Sequence, residues 1–148
     1  MSDRFKDLKN GIIHDAVTGL EWQAEPTDPM PWQDAIDYAA ALDLGGHTDW
    51  RIPTIEELIT LIDYSRTSPA SSFPDMPFKW FWSSSSDVCF SIYAWIVIFN
   101  DGYVHNYAKN RAIHARCVRG RRFDPVARIA ELETEVERLR SALTEKDE

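Results

Sequence analysis

The sequence predicts an α+β fold with two helices, an antiparallel β meander and a C-terminal coiled-coil helix. Three features indicate it: a capped amphipathic helix, a later run of apolar strands separated by turn residues, and a closing heptad repeat. Because helical patterns precede the main strand patterns, helices and strands are expected to segregate rather than alternate. We assign a domain to residues 1–123 and an oligomerisation helix to residues 124–148.

Length, composition and charge limit the classes of function. The chain has 148 residues, of which 44% are hydrophobic, and a net charge of −8. It can therefore bury a core, and it is a poor partner for nucleic acid or an anionic membrane. No apolar run is long enough to insert in a membrane, and the first residues do not form a signal peptide. We expect a cytoplasmic location by default, with the cell surface or a phage particle as alternatives.

The first elements are a hairpin and a helix. Phe5–Gln23 is typical of a β-hairpin, because Asp15–Gly19 supplies turn residues between two apolar segments. Pro31 suits the first position of a helix, and Gly45-Gly46 is expected to end that helix. Its apolar stripe consists of Trp32, Ala35, Ile36, Ala39 and Leu42.

A second helix begins after Pro53. Thr54 and Glu57 form a capping box, in which each side chain accepts a hydrogen bond from the other residue's backbone N–H. Because this motif already explains the carboxylates, we expect Glu56 and Glu57 to be cap and solvent-face residues rather than a catalytic pair. The predicted apolar stripe consists of Ile55, Leu58, Ile59 and Ile62.

The second half of the domain is predicted to be a β meander. Its three strands are expected at Ser91–Phe99, Tyr103–Ala108 and Ala112–Val118, because Asn100-Asp101-Gly102 is a hairpin turn and Lys109–Arg111 a second turn. Both faces of the first strand are apolar, which indicates either burial on both sides or an exposed apolar face. Its two faces are Trp95, Val97 and Phe99, and Ala94, Ile96 and Ile98.

The tail carries a heptad repeat. Apolar residues recur at alternating spacings of three and four, and the flanking charges suit a parallel coiled coil. We predict a trimer, with a dimer or a tail packed on its own domain as alternatives. The residues assigned to oligomerisation are Arg128, Ile129, Leu132, Glu133, Val136, Leu139 and Leu143.

The candidate ligand-binding residues lie in the predicted meander. Tyr and Asn side chains give contact area and hydrogen bonds at low entropic cost, and both are frequent there. Hairpin turns and cross-strand pairing also favour these residue types, so the cluster has a structural explanation as well. The candidates are Tyr93, Asn100, Tyr103, His105, Asn106, Tyr107, Lys109, Asn110, Arg111 and His114.

Catalysis is not expected. The four histidines lack metal-ligand spacing, and the serines of residues 83–86 lack a nucleophile-elbow pattern. Cys89 and Cys117 form no C-x-x-C pair, and two buried free thiols are favoured over one disulfide. We expect no cofactor and no metal.

Several segments together resemble one known family, the bacterial domain of unknown function typified by the C-terminal domain of the Legionella collagen-like adhesin. The most specific of them is Asp49–Leu58, with the sequence DWRIPTIEEL. The segments are Gly11–Gln23, Trp32–Tyr38, Gly46–Asp63, Trp82–Ser85, Ala94–Trp95, Phe99–Gly102 and Arg116–Gly120.

The resemblance implies a C-type-lectin-like fold of the formylglycine-generating-enzyme branch. It further implies a ligand surface near the C-terminal strands, as in the variable proteins of diversity-generating retroelements. The named adhesin is trimeric and binds sulfated polysaccharides. In an acidic chain such an activity requires a local basic patch, for which the candidates are Arg111, Arg116, Arg119, Arg121 and Arg122.

These observations predict a non-catalytic, lectin-like module that a coiled-coil trimer displays for avidity, with a glycan or protein surface as its ligand. A variable protein of a retroelement or a phage receptor-binding protein would be a special case. The alternative from another class is a structural assembly module whose apolar strand face, Ala94, Ile96 and Ile98, packs on a partner.

Overall fold

A computed structural model describes residues 4–77 and 79–146. It has an α+β architecture with antiparallel sheets and three helices, the last of them at the C-terminus, which confirms the predicted class at that level. The elements in chain order are β1 Phe5–Asp7, β2 Ile12–Asp15, β3 Glu21–Gln23, α1 Trp32–Ala41, α2 Ile55–Ile59, β4 Trp80–Ser86, β5 Tyr93–Ile98, β6 Tyr103–Ala108, β7 Val118–Arg119 and α3 Pro125–Lys146.

The first sheet has the strand order β1-β2-β3-β7. The predicted hairpin corresponds to β2 and β3, and β1 adds to the free side of β2. Asp15 organises the connection between them, because its buried carboxylate accepts from the Val17 backbone N–H and from Arg4. The Arg4–Asp15 pair thereby ties the start of the chain to this turn.

The second sheet has the order β4-β5-β6, and here the sequence prediction was wrong in one strand. The third strand of this sheet is β4, whereas residues 112–118 do not pair with β6, and His114 among them forms a parallel bridge to Phe81 of β4. Val118 instead pairs with Trp22 of β3, and Ile113 forms a single bridge to Met30. Residues 113–118 are mostly buried and apolar, so they gain more from crossing the core than from occupying the exposed side of β6.

The two short helices pack on opposite faces of the second sheet. Helix α1 buries Ala35 and Ala39 beside β4, as its stripe predicted. It ends at Ala41, before the predicted Gly45-Gly46. Leu42 has already turned to extended backbone there, and the glycine pair forms a separate turn with positive φ at both residues.

Helix α2 has the predicted capping box, with Thr54 and Glu57 in both reciprocal hydrogen bonds. Glu57 is thus the predicted cap residue, and its side chain is also fully buried, which the capping pattern did not indicate. Arg51 approaches it as a bidentate partner at 2.6 and 2.8 Å, while Glu56 remains exposed. The first turn of α2 therefore contains a buried carboxylate that is paired with an arginine.

Strand β5 lies inside the molecule and is covered on both faces. Ala94 and Ile96 belong to the core beneath α1, whereas Val97 and Phe99 belong to the core beneath α2. This settles the two alternatives for the apolar strand in favour of burial on both sides. The face that included Ala94, Ile96 and Ile98 is therefore not open to a partner, which removes the surface on which the assembly alternative relied.

Helix α3 begins after Asp124, whose side chain accepts from the backbone N–H groups of Val126 and Ala127. Its apolar seam is exposed, contrary to the alternative in which the tail packs on its own domain. The exposed fractions of the seam residues run from 42% to 63% for Ile129, Leu132, Val136, Leu139 and Leu143. A groove lined by these residues and by charged neighbours follows the seam.

Candidate functional site

Strand β6 carries the candidate ligand surface, and the side-chain alternation of a strand divides the predicted residues into two groups. Tyr103, His105 and Tyr107 lie on one face, beside Ile98 and Ile96 of β5. Tyr103 and His105 are exposed and their rings are 6.1 Å apart, centroid to centroid. Three of the ten predicted residues thus form one continuous side-chain row.

Trp80 completes this row, although it was not among the residues predicted from the sequence. It lies on β4 opposite Ile98, and its ring meets Tyr107 edge-to-face with a centroid distance of 5.3 Å. Trp80 is 38% exposed, whereas Trp82, two residues later on the same strand face, is fully buried. The sequence signal that could have identified Trp80 is the Trp-x-Trp spacing, which places Trp80 and Trp82 on the same strand face. We call Trp80, Tyr103, His105 and Tyr107 the aromatic row.

Tyr93 and Asn106 lie on the opposite face of the sheet, so the structure does not join them to the aromatic row. Asn106 donates its side-chain N–H to Asp87 at 3.0 Å. This hydrogen bond and those from the backbone N–H groups of Cys89 and Phe90 lower the pKa of Asp87. Asn106 therefore braces the loop between β4 and β5.

The remaining predicted residues mark the two ends of β6. Asn100 lies in the hairpin turn before it, where its carbonyl accepts from Ser68. Lys109 follows the strand, places Nζ 4.1 Å from the ring centroid of Trp32 and donates to Ser86. Asn110 and Arg111 are exposed in the next turn. Lys109 is thus held by its own domain, whereas its two neighbours are accessible.

His114 lies away from this surface and is half-buried. Its Nδ1 is 2.8 Å from the carbonyl oxygen of Thr27, and its ring contacts Phe81. Its backbone carbonyl accepts from the backbone N–H of Trp82. These contacts explain His114 as a structural residue that connects the crossing chain to β4.

The five arginines considered as a basic patch do not form one. Arg116 is buried, and its guanidinium carbon lies 4.5 Å from the ring centroid of Phe73. It donates to the carbonyls of Gln23 and Ala24, while Nε and Nη2 have no hydrogen-bond partner among the described residues. Burial lowers its pKa to about 10. No local pattern in the sequence indicates that Arg116 is buried.

The other arginines are separated from one another by their partners. Arg119 pairs with Glu21 and Asp49, and these hydrogen bonds raise its pKa. Arg121 pairs with Glu131 of α3. Two of the positive charges are therefore neutralised locally, which leaves Arg111 and Arg122 without an ion pair among residues 4–77 and 79–146.

The loop between β4 and β5 exposes apolar side chains that were not predicted from the sequence to be exposed. Val88, Phe90 and Ile92 are 98%, 60% and 67% exposed. Cys89 in the same loop is an exposed free thiol, whereas Cys117 is buried and free. Burial raises the pKa of Cys117 to about 12. The prediction of unpaired cysteines holds in the structure, but burial applies to Cys117 alone.

The serines of β4 serve the fold. Ser83 donates to the carbonyl of Trp95, and Ser85 accepts the N–H of Ile55 at the start of α2. Within the described ranges, no three His, Cys, Asp or Glu side chains gather as a metal site. None of the helices placed in those ranges has the length and apolarity to cross a bilayer.

The chain matches a known protein family. The family model described as the Lcl C-terminal domain matches residues 11–119, which is most of the chain before α3. No curated protein matches the sequence. The matched range contains β2 through β7 and therefore the whole aromatic row.

Proposed function

Because this chain belongs to the Lcl C-terminal domain family, we propose that it is a non-catalytic, C-type-lectin-like binding module displayed as a coiled-coil trimer. The observation that carries this proposal is the exposed heptad seam of α3. A helix that leaves five apolar side chains uncovered gains most by burying them against copies of itself. A dimer is the runner-up.

The junction between the domain and α3 supports a display role. The buried Glu57 carboxylate accepts the backbone N–H of Phe123 at 2.9 Å, just before the helix begins. Arg51, which holds Glu57, also donates to the carbonyl of Gly120. Phe123 packs on the core beneath α2. These contacts fix the start of α3 on the domain, so each copy would present its binding surface at a defined angle.

The aromatic row is the proposed ligand surface. Exposed aromatic rings stack on the apolar faces of sugars and pack on protein side chains, and Tyr and His add hydrogen-bonding groups. Three copies would raise a weak single-site affinity through avidity. The ligand class is a glycan or a protein surface, and a variable receptor-binding protein is a special case of the same proposal.

Light scattering of the full chain tests the trimer. Leu132→Glu with Leu139→Glu puts two charges into the seam and is expected to convert a trimer into a monomer. The matched control is Thr134→Glu with Ser141→Glu, which adds the same charges to the opposite side of α3. A monomeric unaltered chain, or equal masses for the two double variants, would refute the trimer.

A glycan and protein array tests the ligand surface. We expect saturable binding that is lost when Tyr103, His105 and Tyr107 are changed together to alanine. The matched control is Phe90→Ala, which removes an exposed aromatic ring outside the row. Binding that survives the triple change would place the ligand site elsewhere.

A further inference from the structure

The outer edge of β6 presents unpaired backbone groups. The backbone N–H of Lys109 donates to the carbonyl of Ile92, so these two residues form a hydrogen-bonded pair. From there β5 and β6 pair without interruption, from Tyr93 opposite Ala108 to Ile98 opposite Tyr103. In an antiparallel ladder the direction of the main-chain groups alternates. The N–H and C=O groups of Val104 and Asn106 therefore point away from β5.

These groups are uncovered in the part of the chain that the structure describes. β6 is an edge strand, and its substantial contacts with other elements are those with β5. Both Val104 and Asn106 are exposed. Of the neighbouring outward groups, the Ala108 carbonyl is already bonded to Arg111 and the Gly102 carbonyl to Tyr64. The open edge thus consists of Val104, Asn106 and the N–H of Ala108.

The edge also lacks the features that usually prevent strand addition. Exposed edges are normally protected by lysine, proline, a bulge or a covering element. β6 has the sequence YVHNYA, with no lysine, arginine, carboxylate or proline, and its register with β5 has no shift. By contrast, the β4–β5 register does shift, between Trp82 and Ser86.

A pocket lies at the C-terminal end of the same strand. It has a volume of about 440 Å³ and is lined by Ser91, Ile92, Ala108, Lys109 and Asn110. Ile92 is one of the exposed apolar residues of the β4–β5 loop. An open strand edge that runs into a partly apolar pocket is the arrangement that recognises extended peptides, because the edge binds the main chain and the pocket selects a side chain.

Because β6 is six residues long and carries no charged side chain, we propose that it binds an uncharged extended peptide segment of similar length as an added strand, with one apolar side chain in the pocket beside Ile92. This rests on the proposed function, for which it names the ligand class. Alternate side chains of the added strand would lie beside Tyr103, His105 and Tyr107. A second copy fits less well, because pairing β6 with itself needs a twofold axis and a trimer has only a threefold one.

The test uses the full chain and a phage-displayed library of random seven-residue peptides, from which the best binder is resynthesised. Val104→Pro removes one outward N–H without breaking a bond to β5, which an edge strand tolerates. We expect it to weaken binding of that peptide about tenfold or more, because a peptide carbonyl loses its partner. Val104→Thr keeps the N–H and the branched shape and should retain binding. Thermal unfolding establishes that both variants fold.

N-methylation of the peptide, one backbone nitrogen at a time, gives an independent measurement. Strand addition predicts that binding is lost at alternate positions only. No selected binder, an unaffected Val104→Pro variant or a non-alternating pattern would overturn the proposal. So would a full-chain mass that falls in Val104→Pro, because the edge would then hold a second copy. Peptide binding by a chain that is monomeric would refute the trimer and leave the peptide site standing.

Discussion

Replacing Glu57 with glutamine removes a buried charge while keeping the shape of the side chain. The Glu57 carboxylate accepts four hydrogen bonds: from Arg51 at 2.6 and 2.8 Å, and from the backbone N–H groups of Thr54 and Phe123 at 2.9 Å each. The glutamine oxygen can keep the two bonds made by one carboxylate oxygen. The glutamine NH₂ group would take the place of the other carboxylate oxygen and face two donors, an N–H of the Arg51 guanidinium and the backbone N–H of Phe123. Because the NH₂ group cannot accept from them, both donors are left unpaired.

The cost follows from those two donors. Leaving a buried donor unsatisfied costs about 1–3 kcal/mol, and the charged partner adds to this. The Arg51 side chain is 31% exposed, so water replaces part of what it loses. We therefore expect Glu57→Gln to lower the free energy of unfolding by about 2–4 kcal/mol, which for a domain of this size lowers the melting temperature by about 10 °C.

The same pair sets a dependence on pH. Burial alone would raise the pKa of Glu57, but the hydrogen bonds from Arg51, Phe123 and Thr54 outweigh it and lower the pKa below its ordinary value of 4.5. A carboxylate with a lowered folded-state pKa stabilises the protein above its ordinary pKa, and the contribution is lost as the pH falls through the folded-state pKa. The difference between Glu57→Gln and the unaltered chain should therefore shrink at acidic pH.

Urea unfolding at pH 7 and at acidic pH measures both effects. The matched control is Glu56→Gln, which removes an exposed carboxylate from the same helix turn and should change stability by less than about 0.5 kcal/mol. If the two variants lose equal stability, or if the loss in Glu57→Gln is independent of pH, the buried pair does not hold the helix start as described.

Two further predictions concern the cysteines and the buried arginine. A thiol reagent should modify one cysteine per native chain quickly and two after denaturation, because Cys89 is exposed and the pKa of buried Cys117 is about 12. Cys89→Ser should abolish the fast reaction. Fast modification of the Cys89→Ser variant would contradict this assignment. Arg116→Ala should lower the free energy of unfolding by about 3–5 kcal/mol, because it removes the stacking on Phe73 and the donor to the carbonyls of Gln23, which is buried, and Ala24, which is partly buried. Arg111→Ala, at an exposed turn, should cost less than about 0.5 kcal/mol in the same urea experiment, and equal costs would show that Arg116 is not the buried anchor.

Local patterns in the sequence determined the local structure. The Thr54–Glu57 capping box, the stripe of α1 and the Asn100–Gly102 hairpin turn all appear where the pattern predicted them. Each depends on residues a few positions apart, so the signal lies within one element. The heptad repeat likewise predicted a helix, which α3 is, while its oligomeric state stays a prediction.

Only the tertiary structure decided how distant segments share the core. Val118 pairs with β3 rather than continuing the meander, Glu57 and Arg116 are buried rather than solvated, and Trp80 joins the aromatic row. No local pattern distinguishes these outcomes, because each depends on which surface another segment covers. The sequence indicated which side-chain types β6 carries. Which face and which edge of β6 stay exposed depends on the tertiary structure, because β5 is buried on both faces between the two core clusters.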